Sequence, residues 1–427
     1  MSVTTFVETS TDLPLVDLYF ITRTGSSHDP AGREGALNLA LRTLRRGTRT
    51  RTAVEIDAQL DRAGAELSTS CDASSSMLHL TVIRRNLEAA LELFAEILTE
   101  ALLPPEELAQ VAREVRADLI DSRDDDRTLA GRFFRRTLFA GHPYGRPSAG
   151  TADRVGSLTR DDALLAWRQA SRRDNVIIAA NGDITEGELR RFAERVSAGL
   201  PSEAPLSQEI PAPRAPRGRN LVLVDKPERT QTQIYIGSLG THARDRDHHA
   251  LVLGNTIFGG TFSARLMREI RSKRGWSYGA SSRLGRDRAR EAWSMWTFPA
   301  AADAPACVAT QLELLSRLIE RGVNARELSF ARSYLSRGYA FETDTPGKRL
   351  WQRIEVDLLD LPDGYYTRYL DKLRAVTLDE VNASLRRRLS SDDLVLSVVC
   401  TASEIRGDLE RAVTGLKSSR VVPFDTD

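Results

Sequence analysis

The apolar residues of this chain recur with two different spacings, which separate predicted helices from predicted strands. In segments 87–101, 304–320 and 325–338 they return every three or four residues, the spacing of amphipathic helices. The runs SMLHLTVI (76–83) and DLVLSVVC (393–400) are short and rich in β-branched residues, which favours strands. The sequence therefore predicts a chain that mixes long helices with short strands.

Helical spacing also predicts helices over 52–63 and 263–272. In the first of these, the apolar positions that recur are Val54, Ile56, Leu60 and Ala63.

Prolines interrupt the pattern completely between Pro201 and Arg219, which predicts a semi-extended linker over 201–218 between a domain at 1–200 and a domain at 219–427. Each half opens with a β-rich run and continues into a helical stretch that ends in Gly-Thr, which suggests an internal duplication. We therefore expect an α+β fold of two homologous sandwich halves, each a mostly antiparallel sheet with helices on one face.

The charge balance narrows the possible partners. Sixty basic and 59 acidic residues give a net charge of +1, so no global field attracts nucleic acid or an anionic membrane. No basic segment precedes an apolar stretch at the start, and no apolar run is long enough to span a bilayer. Three scattered cysteines do not form a disulfide scaffold or a thiolate zinc site. We expect a cytoplasmic protein that binds neither nucleic acid nor membrane.

The histidines of the chain are candidates for metal-binding or catalytic residues, but their sequence surroundings favour structural roles. We interpret His142 as a residue that fixes a loop and His79 as a hydrogen-bonded histidine within a sheet. One short segment carries four potential metal ligands, but adjacent helical histidines point about 100° apart, so a capped and solvated helix start is the preferred interpretation. Its residues are Asp245, Asp247, His248 and His249.

Four strings, in order along almost the entire chain, carry a family resemblance: TGSSHDPAGREGALNLALRTLRRGT (24–48), RTAVEIDAQLDRAGAELSTS (51–70), FAGHPYGRPSAGT (139–151) and FSARLMREIRSKRGWSYGASS (262–282). Together they resemble the pitrilysin/insulinase-type zinc peptidases, or inverzincins, which include proteins like the mitochondrial processing peptidase. Active members carry H-x-x-E-H on a helix, where two histidines bind zinc and the glutamate activates water.

This sequence departs from the family at the motif itself. Counted back from Gly47-Thr48, the three motif positions fall on Asn38, Leu41 and Arg42, and the resemblance places the third zinc ligand on Asp118. Arginine has no lone pair to donate. At an effective dielectric near 20, a divalent ion about 4 Å from Arg42 meets repulsion of roughly 8 kcal/mol. We expect no metal in this chain, and we expect Arg42 to pair with Asp118 in the space of the lost zinc; the alternative is that both are solvated helix residues.

The sequence does contain the arginine and tyrosine that the resemblance aligns with a second functional pair of the family. The resemblance assigns to Arg271 and Tyr278, seven positions apart, the role of holding the scissile carbonyl and its developing oxyanion. A guanidinium and a phenol O–H are donors suited to that task. The alternative is that Arg271 caps a helix and Tyr278 packs in a sheet.

The resemblance implies a non-catalytic subunit of a heterodimeric zinc peptidase. A homologous partner with H-x-x-E-H would carry the zinc, and this chain would contribute Arg271 and Tyr278 to peptide binding and oxyanion stabilisation. A scaffold homologue without a catalytic role is the alternative, and an independent enzyme with relocated chemistry is a third hypothesis.

Overall fold

The structure, a computed structural model, describes residues 3–202 and 210–426. Pro205 and the rest of 203–209, in the predicted linker, lie outside the described residues. The strands of the first half are β1 (Thr4–Thr9), β2 (Leu15–Thr22), β3 (Glu66–Cys71), β4 (Ser76–Ile83) and β5 (Val176–Gly182). Those of the second half are β6 (Arg219–Asp225), β7 (Gln233–Leu239), β8 (Ala280–Leu284), β9 (Ala292–Thr297), β10 (Leu394–Cys400) and β11 (Leu416–Pro423).

The two sheets have the same topology. The first has the order β1-β5-β2-β4-β3, and the second has β6-β10-β7-β9-β8 with β11 added beside β6. In each, the pairing at one end, β1 with β5 and β6 with β10, is parallel, and the pairings from the long central strand to the far edge are antiparallel. The shared order supports the duplication that the sequence suggests.

Helices fill the connections in both halves. In the first half they are α1 (Ala36–Thr43), α2 (Ala53–Ala63), α3 (Leu87–Glu100), α4 (Pro105–Asp121), α5 (Asp126–Leu138), α6 (Ala152–Ser157), α7 (Arg160–Ala170) and α8 (Glu186–Gly199). In the second half they are α9 (His248–Phe258), α10 (Arg265–Met267), α11 (Ala304–Arg321), α12 (Ala325–Gly338), α13 (Pro346–Leu358), α14 (Tyr369–Ala375), α15 (Leu378–Arg388) and α16 (Ala402–Ala412).

Several helix starts are encoded by a four-residue pattern. In α2, α7, α8, α12 and α15, a Thr or Asn before the helix accepts from the backbone N–H three positions later, and the acid there accepts from the capping residue in return. This reciprocal capping satisfies donors that a helix N-terminus otherwise leaves unpaired. The starts of these helices are therefore fixed locally by sequence.

Each half contributes one helix that packs on the sheet of the other half. Helix α5 of the first half packs on β7 and β10, where Leu129 and Phe133 meet Val222 of β6. Helix α13 of the second half packs on β1 and β5, where Leu350 and Ile354 meet Ile177. Strands β5 and β10 are consequently buried on both faces, which explains their unbroken apolar runs.

The predicted fold class is confirmed, but two local predictions are wrong. Val54 is 78% exposed, because it lies two residues before Ile56 and so points about 200° away from the face that Ile56 and Leu60 bury. The predicted helix over 263–272 is a short α10 that continues as a π-helix over Arg268–Lys273. Within the described residues, no helix combines the length and apolar character needed to cross a membrane.

Candidate functional site

Helix α1, which carries the predicted motif positions Asn38, Leu41 and Arg42, is fixed at its N-terminus by buried contacts. Gly35 precedes the helix with φ +95°, and a Cβ there would lie 2.6 Å from the Ala149 carbonyl oxygen. The buried Asp29 carboxylate accepts from the backbone N–H of Gly35 at 2.8 Å and of Leu37 at 3.2 Å. Burial nevertheless raises the pKa of Asp29 to about 7.

The motif positions have environments that differ from those of metal ligands. Leu41, at the place of the family's glutamate, is 1% exposed and belongs to the apolar core of the first half. Asn38 is half-buried, and its Oδ1 accepts no hydrogen bond from the described residues. Leu41 therefore contributes packing and has no group that could activate water.

The predicted ion pair is present. The Arg42 guanidinium donates to Asp118 Oδ2 at 2.8 Å and so joins α1 to α4. The two side chains are 34% and 62% exposed, so the pair lies at the surface, where such bonds contribute about 1 kcal/mol or less.

These residues do not fit a zinc ion. A permanently protonated guanidinium and a buried leucine stand at two of the three motif positions, and only Asp118 offers an anionic oxygen. Across residues 3–202 and 210–426, no group of three or more His, Cys, Asp or Glu side chains is arranged to hold a metal ion.

Arg271 and Tyr278 lie together at the surface of the second half. The Arg271 guanidinium carbon is 4.1 Å from the centroid of the Tyr278 ring and 4.6 Å from that of Phe262. Tyr278 is 75% exposed and Phe262 is 70% exposed. The alternative in which Tyr278 packs in a sheet is therefore wrong, because the residue lies before β8 begins at Ala280. Phe262 stands nine residues before Arg271, and no motif in the sequence marked it as a neighbour of the pair.

The guanidinium of Arg271 has no carboxylate partner among the described residues, unlike the neighbouring basic side chains of Lys273 and Arg274. Lys273 and Arg274 both pair with Glu269, at 2.9 and 2.6 Å. Among the described residues no carboxylate pairs with Arg271 and no acceptor receives its N–H groups. Arg271 lies in the π-helical turn Arg268–Lys273, and such turns occur often at functional sites. The arrangement leaves a cation and a phenol O–H available to the same ligand.

The two groups of predicted site residues are separate in sequence and in contacts. Asn38, Leu41, Arg42 and Asp118 belong to the first half, whereas Arg271 and Tyr278 belong to the second. In the part of the chain that the structure describes, no hydrogen bond, ion pair or ring contact joins the two groups. Arg271 and Tyr278 thus form a donor pair that does not depend on the former motif.

The predicted solvated helix start at 245–249 is wrong. Asp247 is 4% exposed and accepts from Arg387 at 3.0 Å and from Arg388 at 2.8 Å, contacts that hold its pKa below the ordinary range. His248 is buried, and burial lowers its pKa to about 3. The error arose because the arginines come from α15, about 140 residues away.

The interpretations of His142 and His79 are confirmed. His142 accepts from the Tyr144 N–H at 3.1 Å and contacts the Pro211 carbonyl oxygen at 2.7 Å, which fixes the loop. His79 lies 3.0 Å from Asp17 within the sheet and stacks on Tyr19. Both have structural contacts that account for them.

Two family models match the chain. The model described as insulinase, peptidase family M16, matches residues 8–152, and the model described as peptidase M16 inactive domain matches residues 157–335. An uncharacterized zinc protease of Mycobacterium tuberculosis is 27% identical over 378 residues, which is 86% of this chain and 84% of that protein. One of Streptomyces coelicolor is 27% identical over 60% of this chain, and the match spans only 57% of that relative.

Solved structures share the whole fold. A peptidase M16 inactive domain from Pseudomonas fluorescens has a TM-score of 0.86 and 25% identity, over 93% of this chain and 95% of its own. A protease from Helicobacter pylori has a TM-score of 0.81 at 16% identity, over 94% and 98% of the two chains. With the matching topology and the two adjoining family models, these similarities show that the chain belongs to the insulinase-type M16 peptidase family.

Proposed function

We propose that this chain is the non-catalytic subunit of a heterodimeric M16 peptidase and contributes Arg271 and Tyr278 to a partner's active site. The partner is a homologous subunit with an intact H-x-x-E-H helix, which would bring the zinc and the general base. The substrate is a peptide. By itself, this chain is not expected to hydrolyse peptide bonds.

One observation carries the proposal: Arg271 is held between two exposed rings without a carboxylate, in a chain whose α1 has no metal ligands. Solvated arginines gain when they pair with an acid, as Lys273 and Arg274 do with Glu269. An arginine kept unpaired beside a tyrosine O–H offers two hydrogen-bond donors to an incoming anionic or polarised oxygen.

The chemistry of this pair requires no metal from its own chain. In peptide hydrolysis, negative charge develops on the scissile carbonyl oxygen, and donors already in position stabilise that charge without reorganising. The Arg271 guanidinium would bind and orient the peptide, and the Tyr278 O–H would donate to the oxyanion. The ring of Phe262, with its centroid 4.6 Å from the guanidinium carbon, also packs against Arg271 and limits the motion of the guanidinium.

The test is complementation. The full chain is co-expressed with a zinc-bearing homologue that cleaves a peptide in its presence, and cleavage is compared for wild type, Arg271→Ala and Tyr278→Phe. Each variant should lower kcat/KM by about 10²-fold, the typical effect of losing one oxyanion donor. Arg337→Ala, which removes another exposed arginine, is the matched control and should leave cleavage unchanged.

Co-purification separates this function from that of a scaffold. All variants should still co-purify with the partner, because each substitution changes one side chain and leaves the rest of the subunit surface unchanged. Unchanged cleavage in both variants, with the complex intact, would refute the catalytic contribution and leave assembly as the function of the chain.

A further inference from the structure

A cavity of about 750 Å³ opens between α9, α12 and α13 of the second half and β2 of the first. Neither Arg271 nor Tyr278 lines it. Its walls hold six of the nine tyrosines of the chain: Tyr19, Tyr334, Tyr339, Tyr365, Tyr366 and Tyr369. This concentration of phenol rings has no part in the function proposed above.

The rings are arranged as walls around a space. Tyr339 and Tyr369 stack with centroids 5.3 Å apart, and Trp351 stands edge-on to Tyr19 at 6.4 Å. Trp351 is 39% exposed and marks the mouth of the cavity. Aromatic faces carry negative potential, so rings that surround a cavity in this way attract cations.

The charges on the walls leave one carboxylate without a partner. Arg286 pairs with Glu355, and Lys348 pairs with Asp344 at 2.9 Å, so both basic side chains are compensated. Glu342 makes no side-chain hydrogen bond or ion pair within residues 3–202 and 210–426.

His248 adds no charge, because burial lowers its pKa to about 3. The two acidic and two basic side chains of the wall balance in number, and Glu342 is the lining carboxylate that has no paired cation among the described residues.

The Glu342 carboxylate lies in the cavity wall near the rings of Tyr339 and Tyr369. Burial raises the pKa of Tyr339, and the negative charge of Glu342 contributes to the rise. Burial and the neighbouring Tyr365 raise the pKa of Tyr369 to about 12, against the opposing positive charge of Arg286, and Glu342 makes a smaller contribution to the rise. The carboxylate therefore acts on the stacked pair.

A buried polar atom also lines the cavity. Tyr365 is 7% exposed, and its Oη makes no hydrogen bond of acceptable geometry to a described residue. A buried hydroxyl without a hydrogen-bond partner destabilises the free protein, so a ligand with a polar group that reaches it gains free energy on binding.

We propose that this cavity binds an organic cation, an alkylated ammonium group that contacts the faces of Tyr339, Tyr369 and Trp351 near the Glu342 carboxylate. A free amine of the choline type and a methylated lysine side chain share this chemistry. The site is independent of the donor pair at Arg271 and Tyr278.

Calorimetric titration of the full chain tests the proposal with choline and its uncharged isostere 3,3-dimethyl-1-butanol. The two probes have nearly the same shape, so a difference in affinity measures the effect of charge. Choline should bind at least about tenfold more tightly, as expected for cation–π contacts supplemented by a carboxylate. Equal affinity of the two probes, or no binding of choline, would overturn the proposal.

Variants locate the bound cation. Glu342→Gln should weaken choline about three- to tenfold, whereas Glu320→Gln, an exposed glutamate on α11 outside the cavity, should change nothing. Trp351→Leu should abolish detectable binding while its melting curve shows a folded protein. Choline binding that survives both cavity substitutions would refute the assigned site.

A second titration distinguishes the two sources of the cation. A short peptide with one trimethyl-lysine is compared with the same peptide carrying unmodified leucine at that position. If choline binds and the methylated peptide also binds while the leucine peptide does not, a methylated side chain is assigned as the ligand. If choline binds and neither peptide does, a small molecule is assigned as the ligand.

Discussion

Leu41 and Arg42 are adjacent on α1 and should respond very differently to truncation. Leu41→Ala removes a side chain that is 1% exposed in the core of the first half. Arg42→Ala removes one partner of a surface ion pair whose members are 34% and 62% exposed. Comparing the free energies of unfolding of the two variants shows whether core packing by Leu41 or the ion pair of Arg42 stabilises α1 more.

The expected magnitudes follow from burial. A leucine truncated to alanine in a packed core costs about 2–5 kcal/mol, because the lost transfer free energy adds to that of the cavity. Arg42→Ala and Asp118→Asn should each cost less than about 1 kcal/mol, since solvent screens an exposed pair even at 2.8 Å. For a unit of about 200 residues, 1 kcal/mol corresponds to about 2–4 °C in Tm.

Thermal unfolding followed by calorimetry measures these differences. Leu41→Ala should lower the Tm by about 4–20 °C and Arg42→Ala by about 4 °C or less. The Arg42 effect should vanish in 1 M NaCl, where the Debye length is about 3 Å. Leu165→Ala, at a leucine that is 52% exposed on α7, is the matched control and should scarcely move the Tm. A loss from Arg42→Ala equal to that from Leu41→Ala would refute this reasoning.

Three further predictions concern other parts of the fold. Burial raises the pKa of Asp29 to about 7, so between about pH 4 and pH 7 the folded state binds a proton that the unfolded state has released. The protonation of Asp29 therefore stabilises the fold fully below about pH 4, and this stabilisation is lost as the pH rises through 7. Asp29→Asn should remove this pH dependence from a series of urea denaturations. The pH dependence from Asp247 has the opposite sign, because Arg387 and Arg388 lower the pKa of its carboxyl group. Asp247→Asn should therefore cost about 1.5–3 kcal/mol at pH 7 and progressively less below pH 4 in the same assay. Ile354→Ala should lower the free energy of unfolding by about 2–5 kcal/mol, because α13 of the second half packs on the sheet of the first. Limited proteolysis should then increase in both halves, and an increase confined to the second half would contradict this packing.

Local features of the sequence predicted much of the secondary structure. Helices α11 and α12 and strand β4 fall on the predicted segments, with a difference of one residue at the end of α11. Their apolar spacing is regular, and α12 also begins with a capping box. Signals of this kind act over fewer than about ten residues and can be read without the tertiary fold.

Long-range contacts explain what could not be predicted. The apolar residues Leu350, Ile354 and Leu358 mark α13 as amphipathic, but nothing in their spacing says that they pack on the sheet of the other half. The burial of Asp247 likewise depends on arginines of α15. Such contacts join residues more than a hundred positions apart, so local periodicity carries no information about them.

The sequence by itself indicated the family, predicted that Asn38, Leu41 and Arg42 replace the zinc-motif residues, and favoured the pairing of Arg42 with Asp118, because each inference depends on the chemical types of residues at fixed positions. The tertiary structure decided that this pair lies at the surface, that Leu41 is buried, and that Arg271 lies unpaired between two exposed rings. It also collected six tyrosines from distant segments around one cavity. The physical reason is that burial and charge compensation depend on neighbours that only the folded chain brings together.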